Sequence, residues 1–191
     1  MNLTAIYGDG YGDDYLTNSS NLDKPEVCSR GSKPYGKSWE EWSAIWWQWC
    51  SIEPLASNPV ADKTGRFCNK NQNDPNVWFL AGTFGGKAER TCTIPAGKAL
   101  FKLTVSDKSP LKDYLEVAQK AGTFDAMTDG YWLLIRSLPP SDVSYQIHFE
   151  AEGRDGYYNS GTYEIIVKPK PASRVDDKSD ILLTGNSLHP K

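Results

Sequence analysis

From Val77 onward the apolar residues of this chain recur at every second position, a period that fits strands and rejects helices. Residues 77–82 and 99–105 are alternating apolar runs, set apart by Gly85-Gly86 and by Pro95-Ala96-Gly97. Cys92-Thr93-Ile94 reads as a short strand between them, and 131–138 as another that stops at Pro139-Pro140. In 143–152 the alternation is clean. Val143, Tyr145, Ile147 and Phe149 face one way, and Ser144, Gln146, His148 and Glu150 the other. A last run, 162–167, precedes Lys168-Pro169-Lys170-Pro171, which reads as a stiff linker. With 16 Gly and 12 Pro to make turns, the expectation is a mostly β domain, an antiparallel β-sandwich of jelly-roll-like type.

One segment breaks the period. Residues 38–50 carry Trp39, Trp42, Ile45, Trp46, Trp49 and Cys50 on one broad helical stripe, with Trp47 off it on the flank of Glu40. Ser38 and Glu41 form an S-x-x-E capping box at its start. Pro54 and Pro59 forbid a long continuation. The spacing therefore predicts one Trp-rich helix packed on a sheet. Residues 110–121, with Pro110 before and Gly122 after, predict a second short helix. The chain divides into an irregular, polar arm (1–37), the β-sandwich domain (38–167), and a linker with a C-terminal tail (168–191). That tail is polar except for Ile181-Leu182-Leu183.

The charge balance excludes some partners. Twenty-one Lys and Arg lie scattered among 24 Asp and Glu, for a net charge of −3, so no basic stripe for nucleic acid exists. No apolar run reaches the roughly 18 to 20 residues that a bilayer span needs. The opening residues show neither a basic n-region nor an apolar h-region, so export implies a signal already removed. Asn2-Leu3-Thr4 and Asn18-Ser19-Ser20 match the N-glycosylation pattern.

Cysteine usage indicates the compartment. Cys28, Cys50, Cys68 and Cys92 make no CxxC pair and have no neighbouring His, which argues against zinc. Two disulfides, and hence an oxidising compartment, are the simpler reading; four buried thiols in a reducing one are the alternative. Three pairings are open. Cys68–Cys92 is favoured because the two flank a strand-and-turn unit, which leaves Cys28–Cys50 by elimination.

Candidate chemistry is sparse. Nucleophilic catalysis of the Ser–His–Asp kind needs a histidine, and only His148, on a polar strand face, and His189, in the tail, are present. No G-x-S-x-G elbow occurs. Glu40, Glu53 and Asp62 lie near the Trp cluster and could form a carboxylate pair for glycoside hydrolysis. Glu40 and Glu41 already have roles at a helix start, and Asp62 one in a turn. Asp9, Asp13 and Asp14 cluster hard oxygens suited to calcium, without the spacing of an EF-hand loop. Trp47, Trp78, Tyr157 and Tyr158 are the aromatics least explained by a core, and sugar rings stack on such faces.

The blocks WWQWCSIEPLASNPVADKTGRFC (46–68), VWFLAGTFGG (77–86), RTCTIPAGKALF (90–101), DGYWLLIRSLPP (129–140) and GTYEIIV (161–167) resemble, in that order, a family of uncharacterised secreted microbial proteins. The resemblance implies export, a Cys68–Cys92 bond and an all-β core, and carries no activity with it. Cys28 and Cys50 lie outside the pattern. The functional expectation is an extracellular or cell-surface, non-catalytic domain that binds polysaccharide or a protein surface. The alternatives are a carboxylate-dependent hydrolase of carbohydrate, and a homo-oligomer that donates the strand 181–183 to a neighbour.

Overall fold

The computed structural model describes residues 2–7, 26–29, 31–105, 131–152 and 158–169. The expected second helix, the tail, Asp9, Asp13, Asp14, Tyr157 and His189 lie outside them. The described strands are β1 (Asn2–Tyr7), β2 (Val77–Leu80), β3 (Gly86–Pro95), β4 (Ala99–Val105), β5 (Tyr131–Ile135), β6 (Tyr145–Glu152) and β7 (Tyr158–Lys168); the helix is α1 (Trp39–Ile52). Among the described residues the chain is mostly β with one Trp-rich helix, as the periodicity predicts.

Helix α1 forms where its start signal stands. Ser38 Oγ accepts from the Glu41 amide at 3.2 Å, and the Glu41 carboxylate accepts from the Ser38 amide at 2.7 Å. Its far end is closed by a residue outside the helix. Asn58 is fully buried and donates from Nδ2 to the carbonyls of Cys50 and Glu53 at 2.6 and 3.0 Å, while its Oδ1 accepts from Val60 N. Two carbonyls that the last turn leaves open are satisfied this way.

The strands lie in two sheets, ordered β1-β6-β7-β3 and β2-β4-β5. Here the antiparallel expectation is corrected. Among the described residues β6–β7 and β4–β5 are antiparallel, but β1–β6, β3–β7 and β2–β4 are parallel. The turns at Gly85-Gly86 and 95–97 move the chain to the other sheet instead of folding it back beside its predecessor. After two such reversals β4 returns parallel to β2. The arm 1–37 is corrected too, since it contains β1 and a turn of 3₁₀-helix at Pro34–Gly36.

The described elements form three layers, with the β2-β4-β5 sheet in the middle. Val77, Phe79, Ala99, Phe101 and Leu134 pack under Trp42, Trp46 and Trp49 of α1. Trp78, Leu80, Leu100 and Ile135, on the opposite face, pack against Ile94, Ile147, Phe149, Tyr163 and Ile165 of the other sheet. A sheet covered on both sides has no polar face. That explains why all four residues of β2 are buried.

Cys68 and Cys92 are bonded, with Cα atoms 6.1 Å apart, inside the span a disulfide bridges. Cys28 and Cys50 are not bonded; both are buried free thiols. The reason is distance along the helix. Trp39 Nε1 donates to the Ser29 carbonyl, which fixes Cys28 beside the start of α1. Cys50 lies eleven residues further on, a rise of about 16 Å.

Candidate functional site

Five of the seven tryptophans stand on α1, and four of those anchor their indole N–H on a backbone carbonyl. Trp39 donates to Ser29, Trp42 to Pro34, Trp46 to Leu80 and Trp49 to Lys70, at 2.8 to 3.1 Å. Trp42, Trp46 and Trp49 are buried, whereas Trp39 and Trp47 are half-buried. Strand β5 adds Trp132, also half-buried. Its ring stacks on Phe101 at 5.2 Å and 15°, and meets Trp46 edge-on at 5.7 Å. Trp46 in turn holds Trp47 edge-on at 5.3 Å, and Phe101 lies 6.1 Å from Trp39. Trp39, Trp132 and Trp47 thus form an aromatic rim whose rings are linked through two buried ones. Offset and edge-on contacts of this kind fix ring orientation.

Of the predicted ligand aromatics, the three among the described residues do not come together. Trp47 belongs to the helix layer. Tyr158 is half-buried at the start of β7, two layers away. Trp78 is 6% exposed between the sheets, which corrects its expected placement on an open face. Its alternation away from Val77 and Phe79 is real, but the second face of β2 is as buried as the first. Its indole nitrogen has no hydrogen-bond partner among the described residues. The helical periodicity places Trp39 in the buried stripe, and no local pattern marks Trp132. Only the register of β5 beneath α1 brings them to Trp47.

The carboxylates near the helix are engaged in holding backbone and side chains. Glu53 accepts from Ser57 Oγ at 2.7 Å and Asn71 Nδ2 at 2.9 Å, and pairs with Lys70 at 3.5 Å. The Ser57 hydroxyl bond, with Asn71 and Lys70 behind it, keeps its carboxyl below the usual range against some desolvation. Asp62 works against its own burial. The amides of Phe67 and Thr64, the Thr64 hydroxyl and the charge of Arg90 together hold its pKa down. A general acid needs the opposite shift. The free thiols are no better placed as nucleophiles, because burial pushes both Cys28 and Cys50 up.

A hydroxyl–imidazole–carboxylate line does occur on the outer face of the β1-β6-β7-β3 sheet. Thr162 Oγ1 lies 3.0 Å from His148 Nδ1, and His148 Nε2 lies 3.5 Å from the Glu150 carboxylate. Both strands are interior, so their amides are committed to the sheet ladder on either side. Among the described residues these two strands offer no spare amide to stabilise an oxyanion, the largest element of acyl-transfer catalysis. Glu164, beside it, accepts from Ser144 and Thr91.

Among the described residues two basic side chains lie in the interior. Arg90 is 3% exposed and all five of its N–H groups are used. Nε donates to the Asp62 carbonyl, Nη1 to the Ala81 carbonyl and Tyr163 Oη, and Nη2 to the Val60 and Gly82 carbonyls. Lys102 is 2% exposed, with its ammonium over the Phe149 ring. Burial, reinforced by the charge of Arg90, holds its pKa well below the usual lysine value.

Among the described residues no group of three or more His, Cys, Asp or Glu is placed to hold a metal, and no helix is long and apolar enough to cross a membrane. Comparison with protein-family models, curated proteins and solved structures finds no match.

Proposed function

We propose that the chain is an extracellular, non-catalytic binding domain with polysaccharide as its ligand class, and that Trp39, Trp47 and Trp132 supply the contact. The rim carries this reading: three half-buried indoles on a helix and a strand, braced by buried Trp46 and Phe101. Ring faces fixed in advance give up little conformational entropy on binding, which favours stacking against the apolar faces of sugars. The Cys68–Cys92 disulfide supports an oxidising compartment. The engagement of Glu53 and Asp62 in structural bonds supports binding over hydrolysis.

The test is tryptophan fluorescence titrated with a panel of soluble polysaccharides, run beside an assay for released reducing ends. Quenching that saturates, with no release, is the expected result. Trp47→Leu should weaken the retained interaction by tenfold or more, about 1.4 kcal/mol, with unchanged far-UV circular dichroism. Absence of quenching across the panel, or release of reducing ends that Glu53→Gln abolishes, overturns it.

A further inference from the structure

Among the described residues strand β1 pairs with β6 and with no other strand, and without it β6 would be the open edge of the sheet. The pairing is parallel and runs from Asn2 opposite Gln146 to Tyr7 opposite Ala151. That register sets Leu3 and Ala5 opposite Ile147 and Phe149, which are 2% and 1% exposed in the core between the sheets. Residues 8–25 separate β1 from Glu26, the next described residue. A chain of that length reaches up to about 60 Å when extended, against a radius of gyration of about 16 Å for a domain of this size. The described disulfide does not involve β1.

We propose that β1 is an exchanging strand: the β6 edge accepts residues 2–7 of a second copy of this chain, and that copy's own β6 edge accepts residues 2–7 of the first in return. Every ladder bond of the exchanged pair repeats one made within a single chain. The exchange therefore loses no sheet contact, and protein concentration decides between the two forms. An unfilled β6 edge would expose a row of ladder groups that favours pairing with any extended segment. The complementary strand of a neighbour fits that edge in register and in sequence. A two-fold exchanged dimer would also carry two aromatic rims, so its avidity for a repeating polymer would exceed that of one chain.

The experiment uses full-length chains carrying single cysteines at opposed positions, Thr4→Cys in one and His148→Cys in the other. Cys28 and Cys50 are buried and do not compete. The two variants are mixed, warmed below the unfolding transition and oxidised mildly across a series of protein concentrations. Exchange predicts a disulfide-linked heterodimer that grows with concentration and exceeds either variant oxidised alone by at least fivefold. A Thr4→Cys, His148→Cys double variant that closes within its own chain at every concentration, with no excess heterodimer in the mixture, overturns the proposal. So does a double variant that forms no bond, because β1 would then not lie on β6. Neither readout depends on a polysaccharide, so failure of the rim reading leaves this result intact.

Discussion

Arg90 shows how much one side chain can hold together. It stands at an inward position of β3, where the alternation of that strand would otherwise put an apolar residue. Its guanidinium ties carbonyls from the loop at Val60 and Asp62 to those of Ala81 and Gly82 after β2, and reaches Tyr163 on β7. A lysine has three donors and no fixed fork, so Arg90→Lys leaves buried carbonyls unpaired. We expect a loss of about 3 kcal/mol or more, read as a shift in the urea midpoint at unchanged slope. Lys102 is the reverse case. Between its depressed folded pKa and the ordinary value of 10.5 the unfolded chain binds a proton that the folded one does not. Stability must therefore rise with pH through that window. Lys102→Met removes this proton linkage, which gives the variant an advantage over the parent chain at pH 7 that it does not have at pH 10.5. The advantage should shrink as pH is raised toward 10.5; a constant difference from pH 7 to pH 10.5 would refute the assignment.

The elements differ in how plainly the sequence announces them. Helix α1 was legible because its signals are local: the capping box sets its start, and the Trp stripe its buried face. The structure extends it two residues past the predicted end, to Ile52, and its last turn is closed by Asn58, which no helical periodicity marks. Strand β3 reads from the sequence as three residues and runs for ten, since small Ala88 and charged Arg90 stand at its inward positions and interrupt the apolar alternation. Strand β7 likewise starts at Tyr158, four residues before its apolar run. It includes Gly161, directly opposite Phe149, whose ring lies where a Cβ would stand. Gly161→Ala forces that ring aside. We expect about 1–3 kcal/mol of destabilisation, partly restored when Phe149→Leu is added, as a double-mutant thermal series would show.

At the scale of the whole molecule the Cys68–Cys92 bond joins the loop before β2 to β3, across a sequence separation of 24. Its removal in a Cys68→Ser, Cys92→Ser variant should cost about 3 kcal/mol by the chain-entropy argument. Alkylation followed by intact mass should find no reactive thiol in the native protein and two after unfolding without reductant. Four after such unfolding would refute the bond, and none would restore the Cys28–Cys50 pairing that the fold rejects. The residue sequence by itself determined the local matters: period-two strands, one capped helix with an apolar stripe, and the near absence of histidine chemistry. These depend on neighbours within a few positions, where backbone geometry alone dictates which side chains share a face. The tertiary structure decided the rest. It set the parallel register of β2 with β4, the burial of Trp78 on a sheet covered twice, the distance that keeps Cys28 from Cys50, and the meeting of Trp132 with Trp47. Each joins residues far apart in the chain, and contacts of that kind are set by which layers pack together, a property no local pattern contains.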